Sequence, residues 1–335
     1  MKIISLTQPH SGCDYHRIKI PLTYLHQHGH INGVTPGQSL EDNLKECDIL
    51  FYNRTPYGAQ LDDVLRYREQ YGFKIIVDLD DYWKLYPGHY LEHTWRVQNL
   101  EQQIIRNLQI ADAVTCTVDP LRDKILKYNS NVHVVPNGLP FDDRQFTTDR
   151  TASDRMRFIY AGGGSHFWDL FMIRNSIGRL SRDKFDGEIV LAGIAAVNIY
   201  DRMVEVMSDH GRIKNFRSLQ YLPLDSYMDL YKEGDVALAP LAKNIFNGHK
   251  SNLKVLEAGC KNMPIIVSNN GPYQDENPFT MRVDTPSEWY KWVKYCNANP
   301  SFVTDRGQQL GEYVRYNYNI RLMNYLRLEA FNSVL

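Results

Sequence analysis

The chain has 335 residues, 43% hydrophobic and 23% charged, which is the balance of a soluble globular protein and, at ordinary domain sizes, of two domains. Its 38 Lys and Arg against 39 Asp and Glu leave a net charge of -1, so no global positive field draws it to nucleic acid or to anionic lipid. No run approaches the roughly 18 apolar residues of a membrane span, and the five scattered cysteines (Cys13, Cys47, Cys116, Cys260, Cys296) form no Cys-x-x-Cys pair, which argues against a zinc site or disulfide framework and for a cytoplasmic protein.

The chain opens on Lys2–Leu6, a short apolar run that reads as a first strand and not as a signal peptide. Four more runs follow, at Asp48–Tyr52, Lys74–Leu79, Ala113–Val118 and Val132–Val135. Helical patterns fill the intervals near Arg17–His28, Gln60–Gln70, Thr94–Leu108 and Pro120–Tyr128. Runs that are apolar on consecutive residues suit strands covered on both faces, and their alternation with helices predicts a parallel sheet. Pro136-Asn137-Gly138 closes the fifth run, and polar Asp142–Arg155 reads as a linker. The alternation then restarts with strands at Arg157–Ala161, Glu188–Ala192, Asp235–Ala239 and Pro264–Ser268, and helices at Trp168–Leu180, Leu224–Tyr231 and Leu253–Cys260. The last segment, Asn319–Phe331, reads as an amphipathic helix that returns to the first half. The expected division is a first Rossmann-like domain over 1–145, a second over 146–318, and a tail helix over 319–335. Two such domains predict a ligand in the cleft between them, at the carboxyl ends of the strands.

Four loops carry candidate chemistry. Gly12 in Ser11–Arg17 follows the first strand and opens a helix, where backbone N–H groups can meet an anion; Tyr15 lies in the same turn. Arg17 sits where the helix dipole disfavours a cation, which points it at a phosphate or an acceptor. Gly162-Gly163-Gly164-Ser165 follows the first strand of the second half. Three glycines are costly in conformational entropy and mark close backbone approach or a positive φ, so a diphosphate is expected there. In Asn247–Gly259, Lys250 and Lys254 are four apart, on one face if both are helical, and either can neutralise phosphates; Glu257 can accept the two hydroxyls of a ribose. In Asp78–Trp83, Asp78, Asp80 and Asp81 resemble a metal-holding DxD, but helix capping or an acceptor-side role is preferred and no metal is expected. His26, His28 and His30 around Gly29 read as incidental. His89, in the aromatic Tyr82–Trp95 loop, is placed on the acceptor side.

Several of these segments together resemble glycosyltransferase family 4. Val134-Val135-Pro136-Asn137-Gly138-Leu139 is similar to the v-P-N-G segment closing its first domain, and Asp235–Pro240 to its aDv-l-P strand. Lys250-Ser251-Asn252-Leu253-Lys254-Val255-Leu256-Glu257-Ala258-Gly259, followed by Pro264–Ser268, resembles its most specific block. The resemblance runs from Gly12 to about Gly271, and a bacteriophage-type member is one reading of it. It implies the GT-B fold, two facing Rossmann-like domains with a C-terminal helix crossing back to the first. It also implies a nucleotide-diphosphate sugar donor, such as a UDP-sugar, and transfer with retention. Glu257 would hold the ribose, and Lys250 or Lys254 with the Gly162–Ser165 loop would hold the diphosphate. Many members carry a second glutamate where this chain has His249; a subset has a Lys-Ser segment here, and His166 with Asp169 resembles a pattern of that subset. The implied catalytic set is His166, Lys250 and Lys254. The implied donor contacts are Gly162, Gly163, Gly164, Ser165, Asp169, His249, Ser251, Asn252, Leu253 and Glu257, and the implied acceptor side is Gly12, Tyr15, Arg17, Asp80, Asp81 and His89.

No nucleophile elbow is present. If the leaving diphosphate takes the acceptor's proton on the same face, no general base is required and no divalent metal is essential; the protein positions the partners and stabilises charge. The expected acceptor is a saccharide or other soluble hydroxyl compound. An alternative is a hydroxylated base in DNA, with the Tyr82–Trp95 loop stacking on it and Arg202, Arg212, Lys214 and Arg217 on phosphates. A non-catalytic sugar-nucleotide-binding module is the second alternative. A dehydrogenase is excluded by the absence of G-x-G-x-x-G after the first strand.

Overall fold

The computed structural model describes residues 1–32, 39–194 and 197–335. It divides into two compact units: Met1–Pro140 with His249–Ser251 and Tyr318–Leu335, and Phe141–Gly248 with Asn252–Asn317.

The first unit is built on five parallel strands, β1 (Ile3–Leu6), β2 (Ile49–Asn53), β3 (Lys74–Leu79), β4 (Ala113–Cys116) and β5 (Val132–Val134), in the order β1-β2-β3-β4-β5. Every residue of β2 and β4 is buried, which is why these strands are apolar on consecutive positions. Helix Leu61–Tyr71 carries Asp62 and Asp63 in its first turn and stops at Gly72, whose φ of 78° permits the left-handed cap. The tail helix Ile320–Asn332 packs on this sheet and drives Phe331 into a cluster with Ile3, Ile18, Phe51 and Ile76. Leu139 pairs with Asn319 as an isolated parallel bridge. A Cβ on Gly138 would lie 2.8 Å from the Met323 side chain and 3.1 Å from the Ile320 Cα, so the glycine of Pro136-Asn137-Gly138 lets the tail helix close on the first unit.

The second unit has six parallel strands: β6 (Arg157–Ala161), β7 (Glu188–Ala192), β8 (Phe216–Ser218), β9 (Val236–Ala239), β10 (Ile265–Ser268) and β11 (Met281–Val283). Their order, β11-β10-β9-β6-β7-β8, is that of a doubly wound nucleotide-binding sheet, and it reverses between β6 and β9. The expected helix Trp168–Leu180 is two helices, Phe167–Phe171 and Arg174–Arg182, and the segment expected helical at Leu224–Tyr231 forms a 3-10 turn over Tyr227–Glu233. Polar 142–155 is held to this unit: Thr151 N–H bonds the Lys232 carbonyl, and the Arg157 guanidinium takes Thr151 and Asp235. Among the described residues no helix is long and apolar enough to cross a membrane.

Candidate functional site

In an open α/β sheet the ligand crevice lies at the carboxyl ends of the strands where the order reverses. In the second unit that point is set by β6 and β9, and three motifs of the sequence meet there. The glycine loop follows β6, the segment Leu241–Gly248 follows β9, and helix Leu253–Cys260 carries Glu257.

None of the three loop glycines has a positive φ. For Gly162 the reason is space. A Cβ on Gly162 would fall 2.5 Å from the Tyr160 hydroxyl, so this position admits no side chain. Gly163 is exposed and a Cβ there would meet nothing nearer than 4.0 Å, so the fold does not require a glycine; the bare backbone faces open space. A fourth glycine closes in from the end of β7: a Cβ on Gly193, whose φ is 83°, would lie 3.2 Å from the Gly162 nitrogen.

Asp169, 2% exposed, ties this loop to the segment after β9. Its Oδ1 accepts the Ala242 N–H at 2.8 Å and the Asn247 amide at 2.9 Å. Its Oδ2 meets the His166 Nδ1 at 2.7 Å. An ionised carboxylate only accepts, so Nδ1 carries the proton of that bond and Nε2 is the nitrogen left for other partners.

Glu257, also 2% exposed, receives Lys254 Nζ at 2.8 Å and the Tyr231 hydroxyl at 2.7 Å, both on Oε2. Oε1 has no partner among the described residues. Lys254 also reaches the Tyr227 hydroxyl at 3.1 Å. Burial alone would depress the Lys254 pKa; the Glu257 carboxylate and Tyr227 outweigh it and hold the ammonium above its ordinary value. Tyr160, Tyr227, Tyr231 and Tyr273 surround the pair, and burial raises the pKa of all four phenols. They are neutral phenols beside a fixed ion pair: Tyr231 donates to Glu257 and Tyr227 accepts from Lys254.

The remaining predicted residues lie in the first unit. Arg17 does not face a ligand. It is 1% exposed, and its fork gives Nε and Nη2 to Asp78 at 3.0 and 2.7 Å and Nη1 to the Val135 carbonyl and Asn137. The dipole penalty at this position is offset by a buried carboxylate. Asp80 bonds Arg54 at 3.0 Å and Asn53 at 3.2 Å; burial would raise its pKa, but Arg54, the hydrogen bonds from Cys13 and Asn53, and Arg17 together outweigh burial and hold it below the usual carboxylate range. Gly12 is exposed, Tyr15 is half-buried edge-on to His16, and buried His89 accepts the Leu91 N–H at its Nδ1. Lys250 and Lys254 share no helical face. The helix begins at Leu253, after Asn252 as its N-cap, and Lys250 extends to Asp81 at 3.3 Å while Lys254 pairs with Glu257. His249 stacks on Tyr82 with ring centroids 4.7 Å apart, and Ser251 accepts the Asn137 amide at 2.8 Å. The structure therefore groups His249, Lys250 and Ser251 with Asp81 and Asn137, and Asn252, Leu253, Lys254 and Glu257 with the glycine loop, His166 and Asp169.

Sequence reasoning missed Asn247 as an anchor of the loop and all four tyrosines. Tyr160 had a signal: on a strand, side chains two apart share a face, so Tyr160 had to lie on the side of Gly162. Of the basic quartet singled out for phosphates, Arg212 is paired with Asp209, and Arg217 with Glu188 and Glu233.

No family model matches the chain and no curated protein matches it. Solved structures do. HepE of Anabaena in complex with UDP-glucose superposes with a TM-score of 0.70 at 12% identity, covering 99% of this chain and 100% of that one. Sucrose-phosphate synthase from Thermosynechococcus elongatus does so at 0.68 and 12%, covering 100% and 99%. A UDP-forming trehalose-phosphate synthase from Burkholderia xenovorans does so at 0.63 and 14%, covering 96% and 84%. At these identities the likeness shows the fold: the chain has the GT-B architecture of two parallel-sheet α/β domains.

Proposed function

We propose that the chain is a glycosyltransferase that moves a sugar from a nucleotide-diphosphate sugar to a hydroxyl acceptor, with retention and without an essential metal. The observation that carries the reading is Asp169: one buried carboxylate joins the glycine loop and the segment after β9 into a single rim at the switch point of the second sheet. A crevice so fixed suits a ligand that must be held at several points. The bare Gly163 backbone receives the diphosphate. The open Oε1 of Glu257 receives a ribose hydroxyl, and Lys254, cationic beside Glu257, faces the phosphate charge. HepE was solved with UDP-glucose and with UDP, so uridine nucleotides are the first donors to try.

In this reading the bond from the anomeric carbon to the diphosphate oxygen breaks while the bond to the acceptor oxygen forms on the same face. The acceptor's proton passes to the departing diphosphate, which leaves as the nucleoside diphosphate. No protein base is consumed. Lys254 and the loop amides stabilise the charge that gathers on the leaving group. His166, aligned by Asp169 through Nδ1, offers Nε2 to the sugar. His249, Lys250, Asp81 and the Asp80–Arg54 pair supply the acceptor side, and a cytoplasmic saccharide or other soluble hydroxyl compound is the acceptor class.

A thermal-shift screen with UDP, GDP, ADP and their sugars tests the donor assignment, because a ligand of the native state raises the midpoint with its concentration. The expected result is a clear rise with one nucleoside diphosphate and its sugar, followed by slow release of that diphosphate when acceptors are added. No rise with any of them would overturn the reading, and binding without turnover across a broad acceptor panel would favour a silent binding module.

A further inference from the structure

On the outer face of the second unit, helices Phe167–Phe171, Arg174–Arg182 and Val197–Met207 enclose a groove of about 450 Å³ lined by Phe167, Phe171, Arg174, Arg182, Arg202 and Arg212, with Gly178, Glu205 and Asp209 among its other walls. Its charge is not balanced. Asp209 answers Arg212 alone, through Nε at 2.8 Å and Nη2 at 2.6 Å. Arg174, Arg182 and Arg202 have no carboxylate partner among the described residues, and the remaining acid, Glu205, has no ion pair there either. Two of the three unpaired guanidiniums are nonetheless held flat. Arg174 lies 4.0 Å over the Phe171 ring and Arg202 lies 4.2 Å over the Phe167 ring. Stacking engages the face of a guanidinium and leaves its N–H edge, which meets phosphate oxygens in pairs, available on Arg202 and, apart from the Nη1 that donates to the Phe171 carbonyl at 2.9 Å, on Arg174.

Two local choices on helix Arg174–Arg182 work against stability. Arg174 stands in the first turn, where the helix dipole repels a cation. Arg174, Gly178 and Arg182 are spaced four apart and so lie along one face of the helix. Between the two arginines stands a mid-helix glycine, which costs roughly 0.5–1 kcal/mol against alanine. A Cβ on Gly178 would meet Asp209 Oδ1 at 3.3 Å and Arg182 Nη1 at 3.6 Å, tight but short of a clash, so the fold alone does not demand the glycine. Its effect is to leave the floor of the groove open between two arginines. Concerted departures from good helix design that converge on one cavity mark a binding site.

We propose that this groove binds a compact ligand bearing clustered phosphate groups, gripped by Arg174, Arg182 and Arg202. The cavity has the size of a small-molecule site and not of a nucleic-acid track. The shared chemistry is a pair or more of phosphates at close spacing, from an inorganic oligophosphate or from a doubly phosphorylated sugar. This site is separate from the donor crevice and does not rest on the activity proposed above.

The test is calorimetric titration of the whole chain with sodium tripolyphosphate and with fructose 1,6-bisphosphate, each with and without excess UDP. Saturable binding of either probe that persists in UDP, and weakens at least tenfold in Arg174→Gln/Arg202→Gln, supports the groove; the tighter probe identifies the source. The double variant changes exposed side chains, and an unaltered melting midpoint checks that it folds. Absence of binding by both probes overturns the proposal. So does binding that the double variant leaves unchanged, and so does affinity for a duplex DNA oligomer alone.

Discussion

Lys254 and Glu257 stand three residues apart on one helix, and the Lys254 ammonium and the Tyr231 hydroxyl converge on the same carboxylate oxygen, at 2.8 and 2.7 Å. The arrangement uses one oxygen of Glu257 for the protein and leaves the other for a ligand. It also means that Glu257→Ala would confuse two effects, since it strips a partly buried cation of its counter-charge. Glu257→Gln keeps the shape and removes the charge. It should cost about 2 kcal/mol of stability, discounted from the larger penalty of a fully buried broken pair because Lys254 is partly solvated. It should also weaken UDP binding at least tenfold. Adding Lys254→Met to Glu257→Gln should recover the melting midpoint without recovering the affinity. An unaltered UDP dissociation constant in folded Glu257→Gln would remove the ribose role from this residue.

Asp169 separates positioning from scaffolding. Asp169→Ala leaves the Ala242 N–H, the Asn247 amide and the His166 ring without their acceptor, and should cost about 2–4 kcal/mol. Asp169→Asn retains one carbonyl oxygen for Ala242 and Asn247 but sets an amide against His166 Nδ1. The midpoint should then stay within a few degrees of wild type while turnover falls at least tenfold and donor affinity changes little. Equal loss of stability and turnover in both variants would reduce Asp169 to a structural strut.

The two α/β halves were readable because strands buried on both faces carry apolar residues at consecutive positions; β2, β4 and β6 are buried from end to end, and Ile49–Tyr52 and Phe158–Ala161 are unbroken apolar runs within them. Edge strands escape that rule. β8 is Phe216-Arg217-Ser218 and β11 is Met281-Arg282-Val283, three residues each with a charge in the middle, and neither was visible. The Lys250–Gly259 block was found because its chemistry is contiguous. Its division was not, because whether Lys250 belongs to the helix depends on where the helix starts, and boundaries follow caps that pattern alone does not place. Arg17 was misread for a related reason: its partner Asp78 is 61 residues away, and a local dipole argument has no access to a distant carboxylate. The four tyrosines around Glu257 come from β6, from the 3-10 turn before β9 and from the loop after β10, a set that only the folded sheet assembles.

Asp14 gives the first unit a pH signature. Ser11 caps it, the Gln8 N–H bonds its carboxylate, and burial, assisted by Asp80 and Asp78, pushes its pKa up to about 6 from an ordinary 3.8. A carboxyl with a raised folded pKa binds more protons folded than unfolded across that window. Its contribution is therefore full below pH 3.8, declines as pH rises toward 6, and is flat above. The ceiling on the effect is ~3 kcal/mol. Asp14→Asn should remove this slope, so that the variant gains on wild type between pH 4 and 6 in urea melts. Parallel stability curves for the two proteins would show that Asp14 ionises normally.

Arg327 of the tail helix is the one fully enclosed guanidinium in the first unit that lacks a carboxylate among the described residues. It is 1% exposed, its Nη1 donates to Asn324 at 2.6 Å, and its Nε has no partner there. The neighbouring Arg17 has already taken Asp78. Burial, with Arg17 adding to it and Asp78 partly opposing, lowers the Arg327 pKa to about 9. At neutral pH the cation is charged in both states and its burial is a standing cost. An apolar side chain of similar reach should relieve that cost, so Arg327→Met is expected to stabilise by about 1–4 kcal/mol. The sign of the linkage gives a second check. Because the folded pKa is lowered, the unfolded chain binds more protons from about pH 9 upward, and wild-type stability gains as pH rises beyond that point. The advantage of Arg327→Met should hold steady from pH 6 to 8 and shrink from pH 9 upward. A destabilised variant at pH 7 would mean that the guanidinium is anchoring the tail helix through Asn324, which in turn donates to the Pro21 carbonyl, and that this chain of bonds outweighs the buried charge.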